Sequence, residues 1–132
     1  MAYNILIVDD SATIRAVIAR SLQMAQVPIN SLYEASNGEE ALKILNDNWI
    51  DLVFTDINMP VMNGIEMITN MEKNDLISSI PVVVISTEKS STRIEELQKK
   101  GIKGYIEKPF TPEAIESVIK KILGESYETH LQ

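Results

Sequence analysis

Four short apolar runs in this 132-residue chain are each followed by a residue able to do chemistry. Asp9-Asp10 follows Ile5-Leu6-Ile7-Val8, and Asp56 comes soon after Leu52-Val53-Phe54. Ser86-Thr87 follows Val82-Val83-Val84-Ile85, and Lys108-Pro109 follows the weaker run around Tyr105-Ile106. Three carboxylates sharing a pocket repel one another, and a hard divalent cation removes the conflict. Mg²⁺, or Mn²⁺ in its place, takes oxygen from one or two carboxylates and leaves room for a phosphoryl oxygen. A carboxylate can attack a phosphoryl donor and become an aspartyl phosphate. That reaction needs positioning and neutralisation more than a strong base. Asp9, Asp10 and Asp56 set against Lys108 and a divalent cation are formally neutral, so one phosphoryl group is tolerable there. The Ser86 hydroxyl would donate to a phosphoryl oxygen. Taken singly, these residues have plainer uses: an acidic pair caps a helix, Ser-Thr starts a loop, and Lys before Pro sits in water. Their joint placement after four different runs carries the chemistry.

Continuous β-branched runs of this length predict strands covered on both faces, as in parallel sheets. A further strand is expected at Ser31 to Ala35, and another at Gly104 to Glu107. Amphipathic stretches lie between them. Ser11 caps a helix carrying Ile14, Val17, Ile18 and Leu22, which Pro28 stops. Asn37-Gly38 precedes a helix reaching about Asp47, with Glu39 and Glu40 at its positive end. Asn63-Gly64 opens a third helix with Ile65, Ile68 and Met71. Ser90 or Ser91 starts a fourth with Ile94 and Leu97, ended by Gly101. Thr111-Pro112 starts a fifth with Ile115, Val118, Ile119 and Ile122, ended by Gly124. Alternating strands and helices imply an α/β domain, a parallel sheet with helices on both faces. Its site lies beyond the carboxyl ends of the strands, where the chemistry-bearing residues fall.

Ile5 to Ser11, Asp56-Ile57-Asn58-Met59-Pro60-Val61-Met62-Asn63-Gly64, Ser86-Thr87 and Gly104 to Phe110 together resemble the receiver domain of two-component response regulators, in particular its stand-alone CheY type. The resemblance covers residues 3 to about 123. It implies a flavodoxin-like (βα)5 doubly wound sandwich with a five-stranded parallel sheet in order 2-1-3-4-5. It implies that Asp56 is the phosphoacceptor. Asp10, Asp56 and the backbone carbonyl of Asn58 would ligate Mg²⁺, with Asp9 joining directly or through a metal-bound water. Lys108 would pair with Asp56 and later with the phosphoryl group. Ser86, beside Thr87, takes the place of the family's switch hydroxyl, and Tyr105 that of its aromatic partner. Members often have a cis bond at the position of Lys108-Pro109. Asn58 and Glu88 would flank the phosphoryl position. The donor implied is a phosphohistidine on a sensor histidine kinase or phosphotransfer protein. His130, the only histidine, sits in the tail, so the donor is expected on another chain. The output implied is a protein target on the face made by the fourth helix, fifth strand and fifth helix, from a monomer that could dimerise on phosphorylation.

Composition narrows the rest. One receiver domain over residues 1–124 and a polar tail over 125–132 account for the whole length. The net charge of −7 argues against direct nucleic-acid binding. No run approaches the ~20 apolar residues of a membrane span, and the start lacks a signal peptide's basic region, so a soluble cytoplasmic protein is expected. With no cysteine there is no thiolate chemistry. Residues 88–121 hold 8 basic and 6 acidic side chains, whereas residues 1–87 hold 4 and 11, which places a partner-binding face in the C-terminal region. Three rivals remain. A phosphatase of the haloacid-dehalogenase kind would need a second Asp where Asn58 stands. A dinucleotide or flavin module would need G-x-G-x-x-G where Asp9-Asp10-Ser11 stands. A pseudo-receiver adaptor would not need the complete acid, hydroxyl and lysine set.

Overall fold

The computed structural model describes residues 2–124. Its elements alternate without exception: β1 Tyr3–Val8, α1 Ala12–Met24, β2 Ile29–Ala35, α2 Gly38–Asp47, β3 Leu52–Thr55, α3 Gly64–Glu72, β4 Val82–Ser86, α4 Ser91–Lys99, β5 Gly104–Glu107 and α5 Pro112–Leu123. The five strands form one parallel sheet in the order β2-β1-β3-β4-β5, as the resemblance implied. The tail expected at 125–132, with His130, lies outside the described residues.

The unbroken apolar runs have the expected cause, because each central strand is buried on both faces. Successive side chains point to opposite sides. Ile5 and Ile7, with Phe54, Val83 and Ile85, pack beneath Ile18 and Leu22 of α1 and Ile115 and Ile119 of α5. Leu6 and Val8, with Val53 and Val84, pack against α2, α3 and α4 through Ala41, Leu45, Met67, Ile68 and Leu97. A side chain such as Phe54, with no exposed surface, contributes roughly 1.5–3 kcal/mol by burial. The edge strand β2 alternates half-buried and exposed positions, which is why its signal in the sequence is weak.

Two expectations need correction. Val17 does not belong to the buried stripe of α1; it is exposed. The inward position is taken by Ser21, whose hydroxyl escapes an unpaired burial by donating to the Val17 carbonyl at 2.9 Å. Nor does Pro28 stop α1. The helix ends at its cap, Ala25, and Gln26 then takes the left-handed region at φ 60°, so the chain has turned before the proline is reached.

Candidate functional site

All five helices begin at the end of the sheet where the strands finish, and each carries a polar cap. Ser11, Asn37, Asn63, Ser90 and Thr111 accept from the backbone N–H three residues on. Asn63 and Glu66 cap reciprocally. These caps fix where the loops leave the strands. The ladder itself extends into the site. The Asp9 amide donates to the Ala35 carbonyl, the Asp56 amide to Val8, and the Lys108 amide to Ser86, at 3.0, 3.0 and 2.9 Å. Three of the site residues are therefore held by sheet hydrogen bonding, not by loop packing.

Asp9 is 2% exposed and Asp56 9%. Carboxylate oxygens of Asp9, Asp10 and Asp56 all lie within 4.8 Å of one another. Asp9 Oδ1 accepts from the Ser11 amide at 2.9 Å, and Oδ2 accepts from Lys108 Nζ at 2.9 Å. Asp56 is held likewise, with Oδ1 on the Ile57 amide at 2.7 Å and Oδ2 on Lys108 Nζ at 3.0 Å. One ammonium thus bridges two nearly buried carboxylates. Burial by itself would depress the Lys108 pKa. Hydrogen bonds to Asp9 and Asp56, and the charges of both, overcome that and hold it above the usual lysine value. Asp10 is exposed at the mouth. Three hard oxygen donors close together, with a fixed cation nearby, suit Mg²⁺, which binds through few carboxylates and keeps several waters.

The remaining expected residues ring this cluster. Ser86 has no exposed surface, and its hydroxyl accepts from the Glu88 amide at 3.2 Å. Tyr105 is half-buried, and its hydroxyl donates to the Glu88 carbonyl. Burial raises the Tyr105 pKa against a hydrogen bond from Ser86, and the negative charges of Glu88, Glu107 and Asp56 add to the rise. Ser86, Glu88 and Tyr105 are therefore one connected unit. The Glu88 carboxylate is engaged within its own loop, accepting from the Ser90 amide at 3.1 Å and standing 3.9 Å from Arg93 Nε. Thr87, Asn58 and Pro109 are exposed on the rim. The Lys108-Pro109 bond is cis.

Two residues were missed by reading the sequence. Arg15 donates from Nη1 to the Asp9 carbonyl at 2.7 Å and from Nε to Glu34 Oε1 at 2.9 Å. It pins the loop carrying Asp9 and Asp10 to the edge strand. Its position one turn beyond the Ser11 cap was the only available signal. Gly64 was read as a helix opener, but its necessity is steric. A Cβ there would stand 2.3 Å from the Asp56 carbonyl oxygen, while its amide donates to the Ile57 carbonyl at 2.8 Å. Between them, Val61 is held at φ 68°, an uncommon conformation for a β-branched residue.

The sequence and the fold are similar to those of known proteins. The family described as response regulator receiver domain matches residues 5–120. Chemotaxis protein CheY-3 of Vibrio cholerae is 36% identical over 119 residues, 90% of each chain. Chemotaxis protein CheY1 of Helicobacter pylori is 33% identical over 122 residues, 92% of this chain and 97% of that one. The crystal structure of Vibrio cholerae CheY4 superposes with a TM-score of 0.82 at 30% identity, covering 92% of this chain and 99% of that one.

Proposed function

The chain belongs to the response regulator receiver domain family, and on that premise we propose that Asp56 is its phosphoacceptor and Lys108 the cation that serves it. A receiver of this family is a phosphoacceptor in two-component signalling. The observation that carries the assignment is the Lys108 ammonium bridging Asp9 and Asp56 beside a third carboxylate. An oxygen of Asp56 attacks the phosphorus of a donor phosphohistidine on a separate kinase or phosphotransfer protein. The new P–O bond forms as the P–N bond breaks, and the imidazole leaves with the bonding pair. Asp9, Asp10, Asp56 and the Asn58 carbonyl are the groups to hold Mg²⁺, which when bound neutralises charge on the transferring group. Lys108 is close enough to exchange its hydrogen bond from the Asp56 carboxylate to a phosphoryl oxygen.

The Ser86 hydroxyl then turns from the Glu88 amide towards that oxygen. Because Tyr105 holds the same loop through the Glu88 carbonyl, the motion passes to β5 and to the surface of α4 and α5. That surface is the proposed output face, and its target is a protein. Asn58 cannot transfer a proton where a hydrolase of similar design needs an acid, which supports a switch over an enzyme with its own substrate. Both relatives named above are chemotaxis proteins, which supports chemotaxis as the pathway.

With Mg²⁺ and acetyl phosphate, intact-mass measurement should give a single base-labile phosphoryl gain, and Asp56→Asn should abolish it. A gain surviving that substitution would overturn the assignment, as would a requirement for no metal.

A further inference from the structure

The end of the sheet where the strands begin carries a different kind of site. A groove of about 490 Å³ lies between the α2–β3 and α3–β4 connections, within the ~300–1,000 Å³ typical of ligand clefts. Its walls bear Trp49, the only tryptophan, and Leu76, which are 81% and 88% exposed. Neither is a core residue turned outward by chance. The next residue in each case, Ile50 and Ile77, is 4% exposed and takes the inward position.

The backbones that present them are pinned by asparagines. Asn4 Nδ2 donates to the Trp49 carbonyl at 2.7 Å. Asn74 Nδ2 donates to Asn46 Oδ1 at 3.0 Å, tying one wall to the other, and Asn74 Oδ1 accepts from the Leu76 amide at 3.0 Å. Large apolar side chains held in water on fixed backbone mark a contact surface, and tryptophan is the residue most often dominant in one.

The electrostatics select the occupant. The groove lining includes Asp47 and Asp51 and no Lys, Arg or His. The C-terminal end of α2, at Asp47, adds the negative pole of a helix. An anionic membrane surface is repelled by this sign. Residues 125–132 are equally mismatched, with two Glu and no Lys or Arg.

We propose that this groove docks a partner-protein segment in which a large apolar side chain is flanked by Lys or Arg. The apolar residue enters between Trp49 and Leu76, and the cation meets Asp47. Because the groove lies at the opposite end of the sheet from Asp56, docking does not depend on phosphorylation. It provides a second, constitutive contact beside the switched one.

The test is selection of a displayed random-peptide library on the full chain, with and without beryllofluoride. Enriched peptides should share an apolar residue next to Lys or Arg. Trp49→Ser or Leu76→Ser should weaken them about tenfold, and Asp47→Asn about threefold, with beryllofluoride making no difference. Circular dichroism would verify that the exposed-site variants remain folded. No enrichment would overturn the proposal, as would peptides indifferent to both apolar substitutions or lacking the cation. Trp49-dependent binding to phosphatidylglycerol vesicles would overturn it in favour of a membrane. Trp49-dependent dimerisation in sedimentation would overturn it in favour of a second copy.

Discussion

The two ends of the sheet invert one another. Where the strands finish, carboxylates are drawn inward and tied to backbone amides and one ammonium. Where they begin, apolar side chains stand in water while asparagines hold the frame. Helix polarity underlies the difference. Five helix N-termini, each with a polar side-chain cap, lie at the end of the sheet that carries the acid cluster and favour negative charge there. The other end receives helix C-termini, which favour cations. One end is built for a small anionic group and the other for a cationic, apolar partner.

Four substitutions sharpen that contrast. Gly64→Ala should have the largest effect, about 3 kcal/mol of stability in urea unfolding, because the added methyl meets the Asp56 carbonyl and overpacks the site. Phosphorylation should fall with it, since the backbone that must move carries the phosphoacceptor. A fully active, fully stable variant would mean that α3 can shift without disturbing Asp56.

Lys108→Met comes next. It should cost about 2 kcal/mol at neutral pH, less than the ~3–5 kcal/mol of a fully buried broken pair because the site opens to water. The pH dependence has a defined sign. The folded pKa of Lys108 lies above the ordinary lysine value of 10.5, so its contribution is complete below that pH and is lost as pH rises through the folded value. The stability gap between wild type and Lys108→Met should therefore persist through the neutral range and narrow in strong alkali. A gap that closes in the neutral range would contradict the bridge to Asp9 and Asp56.

The smallest effect belongs to the other end. Trp49→Ser and Leu76→Ser should each change stability by no more than about 0.5 kcal/mol, because both side chains are already in water. A loss of several times that would show that these residues hold the fold and would weaken their assignment to a partner.

The sequence was most legible where one local rule decided the outcome. Ser11 caps α1 as expected, helices start after Asn37, Asn63 and Thr111 as read, and Gly104 to Glu107 is β5. The runs of β1, β3 and β4 declared a sheet buried on both faces. Convergence of Asp9, Asp56 and Lys108 followed from topology, since all lie at one end of a parallel sheet. What stayed hidden depends on distances across the fold. Arg15 reaching the Asp9 carbonyl, Gly64 touching Asp56, and Tyr105 joining Glu88 are contacts that periodicity does not encode. Val17 is apolar yet exposed and Ser21 polar yet buried, a reversal that hydropathy at helical spacing does not encode. Trp49 and Leu76 gave no signal because a single apolar residue in a connection reads the same whether it turns in or out.

The packing of α5 on α1 also bears on the order in which the chain can mature. Ile18 and Leu22 are made well before Ile115 and Ile119, which cover them. Until then the face of β1 and β3 that α1 shares with α5 is only partly covered and offers a greasy surface to other nascent chains or to a chaperone. The arrival of α5 is the step that closes this surface.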